Sequence, residues 1–244
     1  MKHQYVGDIN DYRKYALLRA LSAGGANRIG VCWMLTPDDG GTDGGKLSYL
    51  KQPDRFRHFD PELFDILAHA AGEPDRRRLQ TIEDSGAIPN ATYHNETLPQ
   101  AVDDRAAYMA ECRAKFADAD LVFFDPDNGI EALTVKPGRK AALKYVFLDE
   151  VAAFYGLAKS VLIYQHFPMM KPKQQFVADT VERLRATTPD AAIFTFTTAH
   201  VVFFLLVHSE SPARLAVAAL DACGQFDPSF VRGEYIGRAA LLAA

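Results

Sequence analysis

Residues 118–133, DADLVFFDPDNGIEAL, run a short apolar strand into Asp125, Pro126, Asp127, Asn128 and Gly129, with Glu131 just beyond. Each of the five residues favours turns, so a plain turn is one reading. Two kinds of chemistry are the others. A carboxylate at a strand end, followed by a proline carbonyl, can accept hydrogen bonds from an amine and aim its lone pair at an electrophile. Carboxylates at 125, 127 and 131 could instead gather on Mg²⁺, which activates water and neutralises phosphate charge.

Other chemistry-bearing residues fall where neighbouring strands would end. YQHFPMMKPK (164–173) follows an apolar run and offers His166 as a general base or metal ligand, with Tyr164 and Gln165 placed to line a pocket. Lys171 and Lys173, with Arg139, Lys140 and Lys144, could form a positive rim for phosphates. The loop TPDDGGTDGGK (36–46) holds four glycines and three aspartates. It matches neither the dinucleotide fingerprint nor the P-loop. Asp38, Asp39, Gly40 and Gly41 suit close backbone approach with hydroxyl recognition, or a divalent cation, better than a phosphate. Glu96, closing the run HNE, is a candidate for ribose hydroxyls. The basic run DRRRL (75–79) reads as a solvated helix face, and Asp149-Glu150 as charges favoured at a helix N-terminus.

The elements that must position these groups alternate between short apolar runs and amphipathic stretches. Helices are expected over 11–23, closed by Gly24-Gly25, then over 61–71, 73–85, 102–116, within 148–157, over 172–187 and after Pro212. Strands are expected at 28–35, 91–96, 121–124, 160–167, 191–197 and 201–209. This alternation predicts a mainly parallel sheet with helices on both faces. The last two strands are too close for a helical crossover, which needs roughly a dozen residues, so they must pair as an antiparallel hairpin at one edge. One domain over 1–244 with a helical insertion around 51–90 is the economical organisation. The C-terminal YIGRAALLAA could be an edge strand or an interface.

Bulk properties narrow the class. At 244 residues, 48% hydrophobic and 24% charged, the composition is that of a soluble globular protein. A net charge of −4 supplies no overall field for nucleic acid, although a local basic face is compatible with it. No apolar run approaches the ~20 residues of a membrane span, and the N-terminus lacks a signal-peptide layout. Cys32, Cys112 and Cys223 form no CxxC pair, which fits a reducing cytoplasm rather than a disulfide framework or zinc cage.

Two segments carry a resemblance. The strand-end Asp125-Pro126 is similar to the Asp-Pro-Pro-aromatic signature of amino-group methyltransferases, and YVGDINDYRKYALLRAL (5–21) resembles the opening of bacterial large-subunit ribosomal RNA adenine-N6 methyltransferases. Gly7, Asp8, Asp11, Lys14 and Tyr15 occupy the places of that family's Gly-Asn-x-x-Asp-x-x-Lys-His pattern. The resemblance implies a Rossmann-like class I methyltransferase sheet and S-adenosylmethionine as cofactor. It also implies Asp125 as the catalytic residue, the Pro126 carbonyl sharing the amine, and Lys14 and Tyr15 beside the cofactor together with the 36–46 loop. The chain departs from the signature at Asp127, which replaces its second proline, and at Asn128, which replaces the aromatic that stacks on the base. Tyr164, Phe167 or Phe154 would then have to supply the stacking. The family's glycine-rich cofactor loop is also replaced, by LTPDDGGTDGG. The sequence therefore leaves three functions open. They are methyl transfer to a base amine, an Mg²⁺-dependent nuclease using Asp38, Asp39, Asp125, Asp127, Glu131 and His166, and a non-catalytic binding protein of the methyltransferase fold.

Overall fold

The computed structural model describes residues 1–37 and 44–237. Asp38, Asp39, Gly40 and Gly41, and the end of the YIGRAALLAA segment, lie outside the described residues.

α1 (Ile9–Ser22) starts two residues before the expected helix, because the Asp8 carboxylate caps it by accepting from the Asn10 amide at 2.8 Å. Ala23, Gly24 and Gly25 all adopt positive φ and end it. β1 (Ile29–Cys32) follows. The long connection to β2 (Ala91–His94) is helical, with α2 (Pro53–Phe56), α3 (Pro61–Ala71) and α4 (Leu79–Asp84). The helix expected over 73–85 is broken: a 3₁₀ turn at Pro74–Arg76 precedes α4. Proline starts that turn, and Arg77 and Arg78 adopt non-helical backbone between it and α4. Arg77 is no solvated bystander, since it donates to the Val6 and Gly44 carbonyls. The remaining elements are α5 (Val102–Lys115), β3 (Leu121–Phe124), β4 (Gly129–Ile130), β5 (Tyr145–Val146), α6 (Leu148–Tyr155), β6 (Ser160–His166), α7 (Lys173–Thr187), β7 (Ala192–Thr197), β8 (Val201–Val207), α8 (Ala213–Gln225) and β9 (Arg232–Tyr235).

The main sheet has the order β2-β1-β3-β6-β8-β7-β9. β2, β1, β3 and β6 pair in parallel, while β8 runs antiparallel to both β6 and β7. The chain is thus a mixed α/β fold with a mostly parallel sheet. The expected hairpin is present, but it does not form the edge. β8 is inserted between β6 and β7, and β9 covers β7 on the outside. β9 reads RGEY with half-exposed positions, as an edge strand allows, so it carries no apolar run to announce it.

Alternation along the strands builds two cores. Val31, Leu121, Phe123, Leu162 and Phe203 face α1, α3 and α8. Val122, Phe124, Ile163 and Phe204 face α5, α6 and α7. Both faces are therefore covered by helices, which is why the strands read as unbroken apolar runs. Cys32 and Cys112 meet in the second core with their sulfurs 3.6 Å apart, both as free thiols. Arg105 is buried in the same layer. It pairs with Glu150 at 2.6 Å and donates to the Ala142 and Tyr145 carbonyls, tying α5 to the segment before α6. Glu150 is therefore an ion-pair partner as well as a helix-start charge.

Candidate active site

β2 lies on one side of β1 and β3 on the other, so the strand order reverses between β1 and β3. The crevice outside the carboxyl ends of such a pair is where open α/β sheets bind ligands. A cavity of about 370 Å³ opens next to that crevice, at the carboxyl ends of β3 and β6, walled by the start of α1, residues 125–128 and the end of β6.

At its centre is a buried charge cluster. Lys14 Nζ lies 2.8 Å from Asp11 Oδ1 and 2.7 Å from Asp125 Oδ2. Tyr15 donates its hydroxyl to the other Asp11 oxygen at 3.2 Å. Asp11, Lys14 and Tyr15 can meet because helical spacing puts i, i+3 and i+4 on one face. Asp125 reaches them from the end of β3, 111 positions away from Lys14. One ammonium shared by two carboxylates leaves a net negative charge. Burial first, and then the neighbouring Asp125 charge, raise the Asp11 pKa to about 6 against the pull of Lys14. Burial disfavours the Lys14 ammonium, but Asp11 and Asp125 outweigh it and raise the Lys14 pKa above the ordinary lysine value.

The other two carboxylates of the motif are engaged elsewhere. Asp127 Oδ1 is 2.8 Å from the α-ammonium of Met1, and its Oδ2 accepts from Thr36 Oγ1 at 3.0 Å. Burial opposes ionisation of Asp127, and the Met1 ammonium overcomes it to hold the pKa below the usual carboxylate value. Met1 also donates to the Asp125 carbonyl at 3.0 Å. Glu131 accepts from the Leu148 amide at 3.0 Å, with Arg183 at 3.6 Å, and burial raises its pKa. Asp125, Asp127 and Glu131 thus have separate partners, and no group of three acidic, histidine or cysteine side chains suited to a metal occurs among the described residues.

The motif is not a free turn. β4 pairs with β5, and the Asn128 amide donates to the Lys144 carbonyl at 2.8 Å. Gln165 clamps the segment from β6: its Oε1 accepts from the Ile130 amide at 2.8 Å, and its Nε2 donates to the Asn128 and His166 carbonyls at 3.0 and 2.7 Å. Gly129 sits at φ 130°, and a Cβ there would lie 2.2 Å from Gln165 Oε1. Gly129→Ala is therefore expected to cost at least about 2 kcal/mol, since that backbone region is essentially glycine-only and the Gln165 clamp must open. Thermal denaturation would show the loss, and hydrogen exchange would show the Ile130 amide deprotected.

His166 also opens onto the cavity. Crowding by protein, helped by Lys14 and Lys46, keeps its pKa below the ordinary histidine value. Burial, with the Asp125 and Asp11 charges, raises the Tyr164 pKa well above the ordinary tyrosine value. Tyr164 Oη and His166 Nε2 share a hydrogen bond at 3.1 Å. Asp125, Pro126, Asp127, Asn128, His166 and Lys14 all line the same cavity. Tyr15 is beneath it, packed edge-on to Trp33. Glu96 is exposed and does not line this cavity. Phe154 is fully in the core against Phe124, which removes it as a stacking ring.

No family model matches this chain, and no curated protein matches it. A crystal structure of a Legionella pneumophila protein assigned to the family DUF519 is similar over 96% of this chain and 98% of its own, at 8% identity and a TM-score of 0.46. That likeness is too loose to carry either fold or function.

Asp11 stood in the helix-opening pattern without a site role, and its wall neighbour Asn10 was given none either. Asn10 lines the cavity, and its Oδ1 is buried without a hydrogen-bond partner among the described residues. The signal for Asp11 was its i, i+3 relation to Lys14.

Proposed function

We propose that this protein is an S-adenosylmethionine-dependent methyltransferase of the Rossmann-like class I type, acting on an exocyclic amine of a nucleic-acid base, with adenine N6 the first candidate. The observation that carries this reading is Asp125. Its carboxylate ends a buried parallel strand in the cavity wall, next to the point where the strand order reverses, and is held there by Lys14. The mostly parallel sheet with an antiparallel β7–β8 hairpin supports the same reading.

The donor set fits the cofactor. Its amino-acid end needs both signs of charge, and the wall offers Lys2, Lys14, Lys46 and Lys144 beside Asp8, Asp11, Asp125 and Asp127. When bound, S-adenosylmethionine supplies a methyl group already activated by the sulfonium. The protein's part is then orientation and proton handling. Lys14 takes Asp125 Oδ2, leaving Oδ1 to accept a hydrogen bond from the amine and fix its direction. The methylated amine must shed a proton, and neutral His166 is the group in the wall able to accept it.

Calorimetric titration with S-adenosylmethionine and S-adenosylhomocysteine, with and without Mg²⁺, tests this. Micromolar binding that ignores Mg²⁺ is expected. Heat on adding Mg²⁺ alone, with no cofactor binding, would return the strand mouth to the nuclease reading. The same titration run against pH has a predicted sign. Asp11, with its pKa at about 6, is ionised above that pH and protonated below it, so the Lys14–Asp11–Asp125 cluster goes from net negative to neutral on acidification. Protonation of His166 adds positive charge in the same direction. The sulfonium cofactor should therefore bind on the order of tenfold more weakly at pH 5 than at pH 7.5. S-adenosylhomocysteine, with its neutral sulfur, should change less.

A further inference from the structure

A second cavity of about 390 Å³ adjoins the first, and Asn128 and His166 line both. Its wall mixes apolar groups, Phe167, Met169 and Phe176, with the polar Gln165, Thr180 and Arg183. Met169, 99% exposed, lines it, and two other highly exposed apolar side chains, Leu133 at 92% and Met170 at 95%, are chain neighbours of the lining residues Ala132 and Met169. Segment 132–147 beside it, ALTVKPGRKAALKYVF, contains four cations and no carboxylate. Lys136, Arg139, Lys140 and Lys144 are all exposed and form no ion pair among the described residues. Across the cavity, Lys173 lies 5.2 Å from the Phe167 ring centroid.

We infer that this cavity and its basic border are the docking surface for a single-stranded stretch of nucleic acid, seating an unpaired base next to the one whose amine enters the first cavity. This rests on the methyl-transfer reading for the direction of the strand. The surface itself is argued from charge and shape. Unpaired cations in a row on a chain of net charge −4 are a local field that suits a phosphodiester backbone. A half-buried phenylalanine with exposed methionines at a concave mouth suits a base face, since aromatic stacking tolerates any base. A duplex would keep both the amine and that face inaccessible, so the strand must be unpaired.

The test is fluorescence anisotropy with a labelled 12-nucleotide single-stranded RNA, the DNA of the same sequence, a duplex, and vesicles of phosphatidylglycerol and phosphatidylcholine. Wild-type protein should bind single strands in a salt-dependent way and prefer them to duplex and vesicles. The variant Lys136→Gln/Arg139→Gln/Lys140→Gln, changed only at exposed positions, should bind about tenfold or more weakly, with the salt slope lowered by about 2. Phe167→Ala should weaken binding about fivefold or more while the salt slope stays. Equal binding by wild type and the triple variant, preference for vesicles or duplex, or no strand binding would each overturn the surface. Cofactor titration of the wild-type protein, set beside its strand binding, separates the two ideas. Cofactor binding without strand binding removes this surface and spares the methyltransferase reading, and the converse removes that reading and spares the surface.

Discussion

Lys14→Met should destabilise the protein by about 3–5 kcal/mol, the largest loss expected from any single change in the site. The ammonium is the common partner of Asp11 and Asp125, both buried, and removing it leaves two carboxylates facing one another away from water. In a chain of this size each kcal/mol lowers the melting temperature by about 2–4 °C, so calorimetry or circular dichroism would see the shift directly. Replacing the whole cluster, as Asp11→Asn/Lys14→Met/Asp125→Asn, should recover much of the loss, because no unpaired charge then remains buried. A single variant as stable as wild type would show that the cluster is open to water and that its burial has been misjudged.

Asp125→Asn should reduce methyl transfer by at least about 100-fold at saturating cofactor, while cofactor affinity falls by no more than about tenfold, the effect of taking the cluster from net negative to neutral. The substitution is nearly isosteric, and Lys14 keeps Asp11 as its counter-ion, so the fold survives. What is lost is the acceptor that directs the amine, and misdirection of a nucleophile costs about that much. Asp127→Asn is the comparison. Its carboxylate serves the Met1 ammonium and Thr36, so transfer should fall less than tenfold. Single-turnover assays on an unpaired adenine-containing strand would give both ratios. Equal damage from the two variants, with dependence on Mg²⁺, would favour a metal centre and sink the proposal.

Much of this layout is legible in the chain because its strands are buried on both faces. LVFF at 121–124 and VVFFLLV at 201–207 stand out as apolar runs, and the Gly24-Gly25 stop is visible after α1. Elements held by something other than burial are silent. β4 and β5 are two residues long and exist through the Gln165 clamp, and β9 is a polar edge strand. Asp125 and Lys14 could each be nominated from local pattern. Their contact could not, because nothing in one segment encodes a partner 111 residues away. The row of cations at 136–144 was readable as a possible rim, but only the folded chain brings the two ends of its segment, Ala132 and Tyr145, into a cavity wall.

The placement of β8 has a consequence for how the chain is made. β6 and β7 are consecutive main-sheet strands, yet neither pairs with the other; each finds its partner in β8, which is synthesised after both. Until residue 207 has left the ribosome, two long apolar strands present unpaired edges to everything around them. The parallel half, from β2 to β6, can assemble first, and the sheet closes only when β8 slides into the gap. A nascent chain halted near residue 200 would be the form of this protein most in need of a chaperone.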